Sequence, residues 1–191
     1  MEKLYRCPWA ESPDLLRDYH DNEWGVPVHD ERLHFEFLVL ESMQAGLNWL
    51  IMLKKRENFR KAFDSFDYKK IAKYDGDKIE ELMKDTGIVR NRRKIEAIIH
   101  NASCFLEIQK KWGSFDKYIW SFTQGKVIQG KKKKLKDIPV TSPLSDAMSK
   151  DMKKQGFKFL GTTTLYAHLQ AIGLVNDHLT SCFCHKKLAQ L

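Results

Sequence analysis

No apolar run in the 191 residues is long enough to cross a bilayer, and no charged-then-apolar segment opens the chain. Neither a membrane span nor a secretory leader is expected, and the expected location is the cytoplasm. Cysteine is scarce, with four in all. In a cytoplasmic chain that number argues against a disulfide framework and leaves metal ligation open. There is no internal repeat, and no pair of segments alternates well enough to argue for paired strands. Acidic residues are outnumbered: 33 Lys and Arg stand against 25 Asp and Glu, a net charge of +8. That sign favours a polyanionic partner, although a merely basic soluble protein carries the same surplus. Aromatics are plentiful, with five Trp and eleven Phe, which argues against disorder. The length suits one domain, or two small lobes sharing a core.

What is present is helical periodicity, starting late. The first thirty residues read as irregular and hold Cys7, Trp9, Tyr19, His20, Asp21, Asn22, Glu23 and Trp24, closed by Gly25 and Pro27. From Asp30, a good N-cap, a helix runs to about Gly46. A second runs from Trp49 to about Phe63, with Leu50, Leu53, Phe59 and Phe63 inward. Its Lys54, Lys55, Arg56, Arg60 and Lys61 are expected to face water. Short helices follow over 67–74 and 77–84, then a tight turn over 85–91 and a long helix from Arg92 to about Lys111. Tyr118 to Phe122 suggests one more turn, and Gly125 to Pro139 a surface loop or weak hairpin. Ser145 to Gln155 and Thr162 to Gly173 are the last two helices, stopped by Gly156 and Gly173. The class is all-α, with eight or so short helices.

Three constellations carry chemistry. Glu41 lies in a helix that is apolar on most sides, on the face shared by Phe37 and Ala45. Gly46 stops that helix, Asn48 caps the next and Trp49 opens it, so an acid, the Gln44 amide and an indole meet at one corner. Glu41 is either a core acid bonded to a backbone amide or the anchor of a pocket for a flat, electron-poor guest. The turn at Gly87, flanked by Arg90, Arg92, Arg93 and Lys94, lets backbone approach another molecule closely. Its amides and the following helix N-terminus make an anion site, the layout of a helix-hairpin-helix that grips a DNA phosphate without reading sequence. Glycine turns between helices are also common without such a role.

Cys7, His20, His178 and Cys182 form the third constellation. His178 and Cys182 are four apart and suit one helical turn. Two thiolates and two imidazoles fit a closed, structural zinc site that would clip the first segment to the last. From spacing alone, two free thiols and two histidines fit as well, with Cys184 and His185 as substitutes. Cys104 reads as a small core residue, and the lysines 131–134 as a solvated face or a phosphate-grazing strip. Trp9, Tyr19, Trp24 and Trp49 are core or pocket.

Several motifs occur together and in order: Cys7-Pro8-Trp9, Tyr19-His20-Asp21-Asn22-Glu23-Trp24-Gly25-Val26-Pro27, Leu40-Glu41 with Gln44 to Trp49, Leu53 to Glu57, Gly87-Ile88-Val89-Arg90, Gly156 to Thr163, and Gly173 to His178. Over nearly the whole chain they resemble the 3-methyladenine DNA glycosylase I family. The resemblance implies a helix-hairpin-helix glycosylase fold in one domain, with two helical lobes and the active site in the cleft between them. The expected lobes are 30–125, with the hairpin at 77–109, and 1–29 plus 140–191. It also implies one structural zinc on Cys7, His20, His178 and Cys182. Glu41 is implied as the residue that contacts the damaged base and does the catalytic work. Tyr19 and Trp49 line its pocket, Trp9 and Trp24 form or support its walls, and Gly87, Ile88, Val89 and Arg90 hold DNA. One position departs from the pattern: Leu16 stands where the family often has a tyrosine.

The implied activity is release of 3-methyladenine from double-stranded alkylated DNA by a monomeric, monofunctional glycosylase without lyase activity, working in the cytoplasm on the nucleoid. No segment matches the aspartate that many helix-hairpin-helix glycosylases use to start hydrolysis; Asp21 and Asp177 are the candidate surrogates. Two other readings are a non-catalytic zinc-stapled DNA-binding module and a helical scaffold for protein contacts. A base-sized pocket argues against the first, and salt-dependent DNA affinity would argue against the second.

Overall fold

The structure, a computed structural model, describes residues 4–190. Its elements in chain order are α1 (Asp14–Asn22), α2 (Glu31–Gln44), α3 (Trp49–Ala62), α4 (Tyr68–Ile71), α5 (Gly76–Lys84), α6 (Arg92–Trp112), α7 (Phe115–Ser121), β1 (Ile128–Gln129), α8 (Pro143–Lys154), α9 (Thr162–Ala171), β2 (Val175–Asn176) and α10 (Phe183–Leu188).

α2 is the hub, and it packs against α3, α6, α7 and α9. Every residue from His34 to Met43 is buried, the Glu41 side chain included. A helix enclosed on all sides follows from its run Phe35, Phe37, Leu38, Val39 and Leu40. Its start is fixed by Asp30, whose carboxylate accepts from Leu33 N at 2.8 Å. The Glu31 carboxylate accepts from Phe115 N at 3.0 Å and Asp116 N at 2.7 Å, which ties the start of α2 to the start of α7. Asn48 caps α3 through Ile51 N, and Asn91 caps α6 through Lys94 N. Behind α2 the core is aromatic: the rings of Phe105 and Phe115 stack at 4.2 Å and Phe35 meets Phe105 edge-on at 5.3 Å. Each such ring contributes on the order of 1.5–3 kcal/mol by leaving water.

The structure departs from the sequence reading in several places. The irregular opening segment contains α1, which buries Tyr19 and His20; Leu15, Leu16 and Tyr19 share a face, but nine residues hold too few turns for the pattern to stand out. Arg56 is 8 % exposed and does not face water. Its guanidinium donates to Glu36 at 2.5 Å and to Glu23, just past α1, at 2.6 Å, and Arg60 joins Glu36 at 2.8 Å. A charge run along α3 thus bolts three helices together. The segment expected to be a loop or hairpin contributes β1, which pairs in parallel with β2 through Ile128–Val175 and Gln129–Asn176. The all-α expectation is corrected by that one short pair. A tenth helix, α10, closes the described chain.

Candidate active site

A cavity of about 180 Å³ opens where α1, α2, α3 and α9 converge. α1 supplies Leu16 and Tyr19, with Trp24 just after it and Trp9 just before; α2 supplies Glu41 and Gln44, α3 Trp49, and α9 Ala167 and Gln170. The aromatic walls support one another. Trp9 meets Trp24 edge-on at 5.0 Å, and Tyr19 leans on Trp49 at 5.4 Å. All five residues expected to form the pocket therefore lie on it. Ala167 and Gln170 were missed. They share a helix face at i and i+3, but nothing along the chain says what that face meets.

Glu41 is 4 % exposed. Among the described residues its Oε2 has no hydrogen-bond partner, nor has the Trp49 Nε1–H. The core-acid reading needed a bond to a backbone amide, and among the described residues there is none. Burial pushes the Glu41 carboxyl up to about 8. Burial likewise keeps the Tyr19 phenol protonated, well above its ordinary range. An orphaned acceptor and an orphaned donor at the mouth of an aromatic pocket are what a polar, planar guest would satisfy. The two candidate surrogates do not reach it. Asp21 is held by Arg6 at 2.8 Å and His20 at 2.7 Å; Asp177 is held by Tyr166 and Gln170.

Cys7, His20, His178 and Cys182 come together as a fully buried group. The step from His178 to Cys182 is a turn closed by Cys182 N to Leu179 O at 2.7 Å, not the helical turn expected from the spacing. Each imidazole commits one nitrogen outward: His20 Nδ1 lies 2.7 Å from the Asp21 carboxylate and His178 Nε2 2.9 Å from the Trp24 carbonyl. Both outer partners accept, so with the rings neutral both inner nitrogens are acceptors, and His20 Nε2 also takes the Cys7 amide at 3.4 Å. Those nitrogens face each other at 3.1 Å, with Cys182 Sγ at 3.5 and 3.6 Å. The two inner nitrogens have no hydrogen to share with each other, and with both thiols deprotonated a cation would fill the space among the four, so the group has the makings of a metal cage. Of the substitutes, His185 is turned to the Gly130 carbonyl, while Cys184 sits beside His20 Nδ1.

The turn between α5 and α6 is more self-contained than expected. Gly87 N donates to Asp85 Oδ1 at 2.7 Å, and its carbonyl accepts from Lys55 at 3.0 Å. A Cβ on Gly87 would lie 2.9 Å from Asp85 Oδ1 and 3.1 Å from the Asn58 side chain. The glycine is thus required by a neighbour in its own chain. Ile88 is buried. Among the described residues the amides of Ile88, Val89 and Arg90 have no partner. The four cations expected there reduce to two. Lys94 is buried and donates to the carbonyls of Met43 and Ala45 at 3.0 and 2.8 Å, closing the end of α2. Arg92 pairs with Glu80 at 2.5 Å. Among the described residues Arg90 and Arg93 carry no ion pair.

The sequence profile described as methyladenine glycosylase matches residues 9–185. The chain belongs to the methyladenine glycosylase family. DNA-3-methyladenine glycosylase 1 of Escherichia coli is 46 % identical over 182 residues, 95 % of this chain and 97 % of that protein. A DNA-3-methyladenine glycosylase of Haemophilus influenzae is 46 % identical over 179 residues, 94 % of this chain and 97 % of that one. A crystal structure of a 3-methyladenine DNA glycosylase I superposes with a TM-score of 0.92 at 49 % identity, covering 95 % of this chain and 100 % of the other. The enzyme from Staphylococcus aureus, solved for its recognition of 3-methyladenine, gives 0.91 at 37 % identity over 95 and 97 %. The mostly helical architecture described above is therefore that of the family.

Proposed function

We propose that the chain hydrolyses the N-glycosidic bond of 3-methyladenine in alkylated DNA, releasing the free base and leaving an abasic site for base excision repair. The observation that carries this is Glu41, a buried carboxylate without a protein partner, set among Tyr19, Trp49, Trp9 and Trp24 in a base-sized cavity. Methylation at N3 makes adenine cationic and weakens its bond to deoxyribose. When C1′–N9 breaks, the electron pair goes to the purine, which leaves neutral. Water adds to the sugar carbon and loses a proton. No strong acid is required, which fits a pocket in which neither Asp21 nor Asp177 is free.

The protein's own work is extrusion, grip and orientation. Rotating the nucleotide out of the stack costs a few kcal/mol, least where the pair is already damaged. Electron-rich ring faces hold a cationic base better than a neutral one. Glu41 accepts hydrogen bonds from its exocyclic amine and ring edge, and the positive charge of the guest favours the ionised carboxylate. Among the described residues no lysine lines the cavity, and we read the enzyme as a glycosylase without lyase activity.

We read α5, the 85–91 turn and α6 as a helix-hairpin-helix on double-stranded DNA. Its free amides at Ile88, Val89 and Arg90, beside Arg90 and Arg93, suit a backbone phosphate; Gly87 serves by letting the turn close. Lys94 links this grip to the pocket through the end of α2. The four-residue cage suits zinc. Ideal tetrahedral bond lengths imply edges of about 3.4 Å between two nitrogens and about 3.6 Å between nitrogen and sulfur, close to the separations above. With all four positions filled by protein, zinc would staple residues 1–29 to the 140–191 segment and take no part in the chemistry. These segments would form one lobe and residues 30–125 the other, with the pocket between them. We read the protein as a monomer working on DNA in the cytoplasm. No helix of the described residues is long and apolar enough to cross a membrane.

The test is to incubate the protein with methylated duplex DNA and identify the bases released. Free 3-methyladenine is the expected product. DNA binding with no base released would leave the non-catalytic binding module as the better reading.

A further inference from the structure

The α9 side of the pocket carries a polar group whose orientation is set from outside the pocket. Gln170 lines the cavity, and its Nε2 donates to Asp177 Oδ2 at 2.9 Å. Asp177 is 2 % exposed and also accepts from the Tyr166 hydroxyl. Gly130, at the end of β1, packs so closely over this carboxylate that a Cβ there would lie 2.3 Å from its Oδ1. A carboxylate only accepts. The Gln170 amide therefore keeps its nitrogen toward Asp177, and its Oε1 is left without a protein partner among the described residues. On another wall, the Glu41 carboxylate is likewise free.

We infer that Gln170 is a specificity-determining residue that presents a carbonyl acceptor to the edge of the extruded purine, and that Asp177 is the positioning residue that keeps it so. This rests on the pocket being the methyladenine site proposed above. Acceptors on two walls select an edge that donates. Adenine carries an amine at position six. Guanine carries a carbonyl there, and a carbonyl facing a locked carbonyl leaves two acceptors buried and unpaired. Were Asp177 an amide, Gln170 could turn over and donate, and the pocket would lose that distinction. The discrimination is thus built by a carboxylate that never touches the base, held in place by the short β1–β2 pair.

The experiment titrates free 3-methyladenine and free 3-methylguanine into wild type, Gln170→Leu and Asp177→Asn, followed by NMR or calorimetry, with a melting curve for each. Wild type should prefer 3-methyladenine. Gln170→Leu should weaken 3-methyladenine roughly three- to tenfold and leave 3-methylguanine within about twofold, the loss of one neutral hydrogen bond. Asp177→Asn, which keeps the size and an acceptor for Tyr166, should also narrow the ratio, and it decides the matter if Gln170→Leu does not fold. An unchanged ratio in both variants, equal weakening of both bases, or a wild type without preference overturns the inference while the glycosylase reading stands. A wild type that binds neither base overturns both.

Discussion

Replacing Glu41 with Gln should stabilise the protein and disable it. The carboxyl is held at about 8, against 4.5 for the free group. A group raised in this way lets the folded state keep its proton longer than the unfolded chain does. Stability is then unaffected below about pH 4.5 and falls as pH rises through the window between the two values. By pH 7 the accumulated cost is on the order of 2–4 kcal/mol at 1.36 kcal/mol per unit. Gln keeps the size and removes the charge. Glu41→Gln should therefore melt roughly 5–15 °C higher than wild type at pH 7, taking 2–4 °C per kcal/mol for a chain of this size. The two proteins should converge near pH 4.5. Base binding moves the other way. Free 3-methyladenine is neutral and the Glu41 carboxyl is mostly protonated at pH 7, so the bond lost is a neutral one worth about 0.5–1.5 kcal/mol, and affinity for the free base should fall roughly two- to tenfold. Excision should fall with it, and binding to undamaged duplex should hardly change. The assay is a set of melting curves across pH with a calorimetric base titration on the same samples. A variant that binds the base normally but melts many degrees lower would refute the argument, because Glu41 would then be anchoring the fold.

The remaining expectations concern the supports of the site. Metal analysis should find about one zinc per chain, and Cys182→Ala should lower the melting temperature far more than it slows chemistry in the folded fraction; a stable wild type free of metal would contradict this. Arg93→Ala should weaken binding to damaged and undamaged duplex alike and reduce the salt slope by about one, whereas Arg92→Ala, already paired with Glu80, should change it less; a loss confined to damaged DNA would move the residue to the pocket. Arg56→Ala should cost on the order of 1.5–3 kcal/mol, because Glu36, 6 % exposed, loses its buried partner and keeps only Arg60 at 2.8 Å; chemical denaturation measures it, and a change under about 1 kcal/mol would mark the pair as solvent-screened.

Much of the architecture was legible along the chain because it is local. Helices from Asp30 onward are written in 3.6-residue periodicity and in caps, and Asp30 and Asn48 cap as side chains of their type do. The Glu41–Trp49 corner was readable for the same reason, since an acid in an apolar helix followed by a glycine stop and a capped restart is a local pattern. The resemblance supplied the four cage residues, which spacing alone left undecided. Tertiary structure decided whatever depends on distant partners. Arg56 and Lys94 look like surface cations in sequence, and only the approach of Glu36, Glu23 and the end of α2 turns them inward. Gly87 is needed because Asp85 and Asn58 both crowd it, and Asn58 lies 29 residues away. β1 and β2 are two residues each and exist because residues 128–129 and 175–176 are brought side by side. Gln170 shows nothing along the chain; only the fold sets it on the cavity wall with its amide nitrogen on Asp177. Periodicity and capping act over a few residues and survive in the sequence; burial, pairing and the direction of a side chain are properties of the folded neighbourhood.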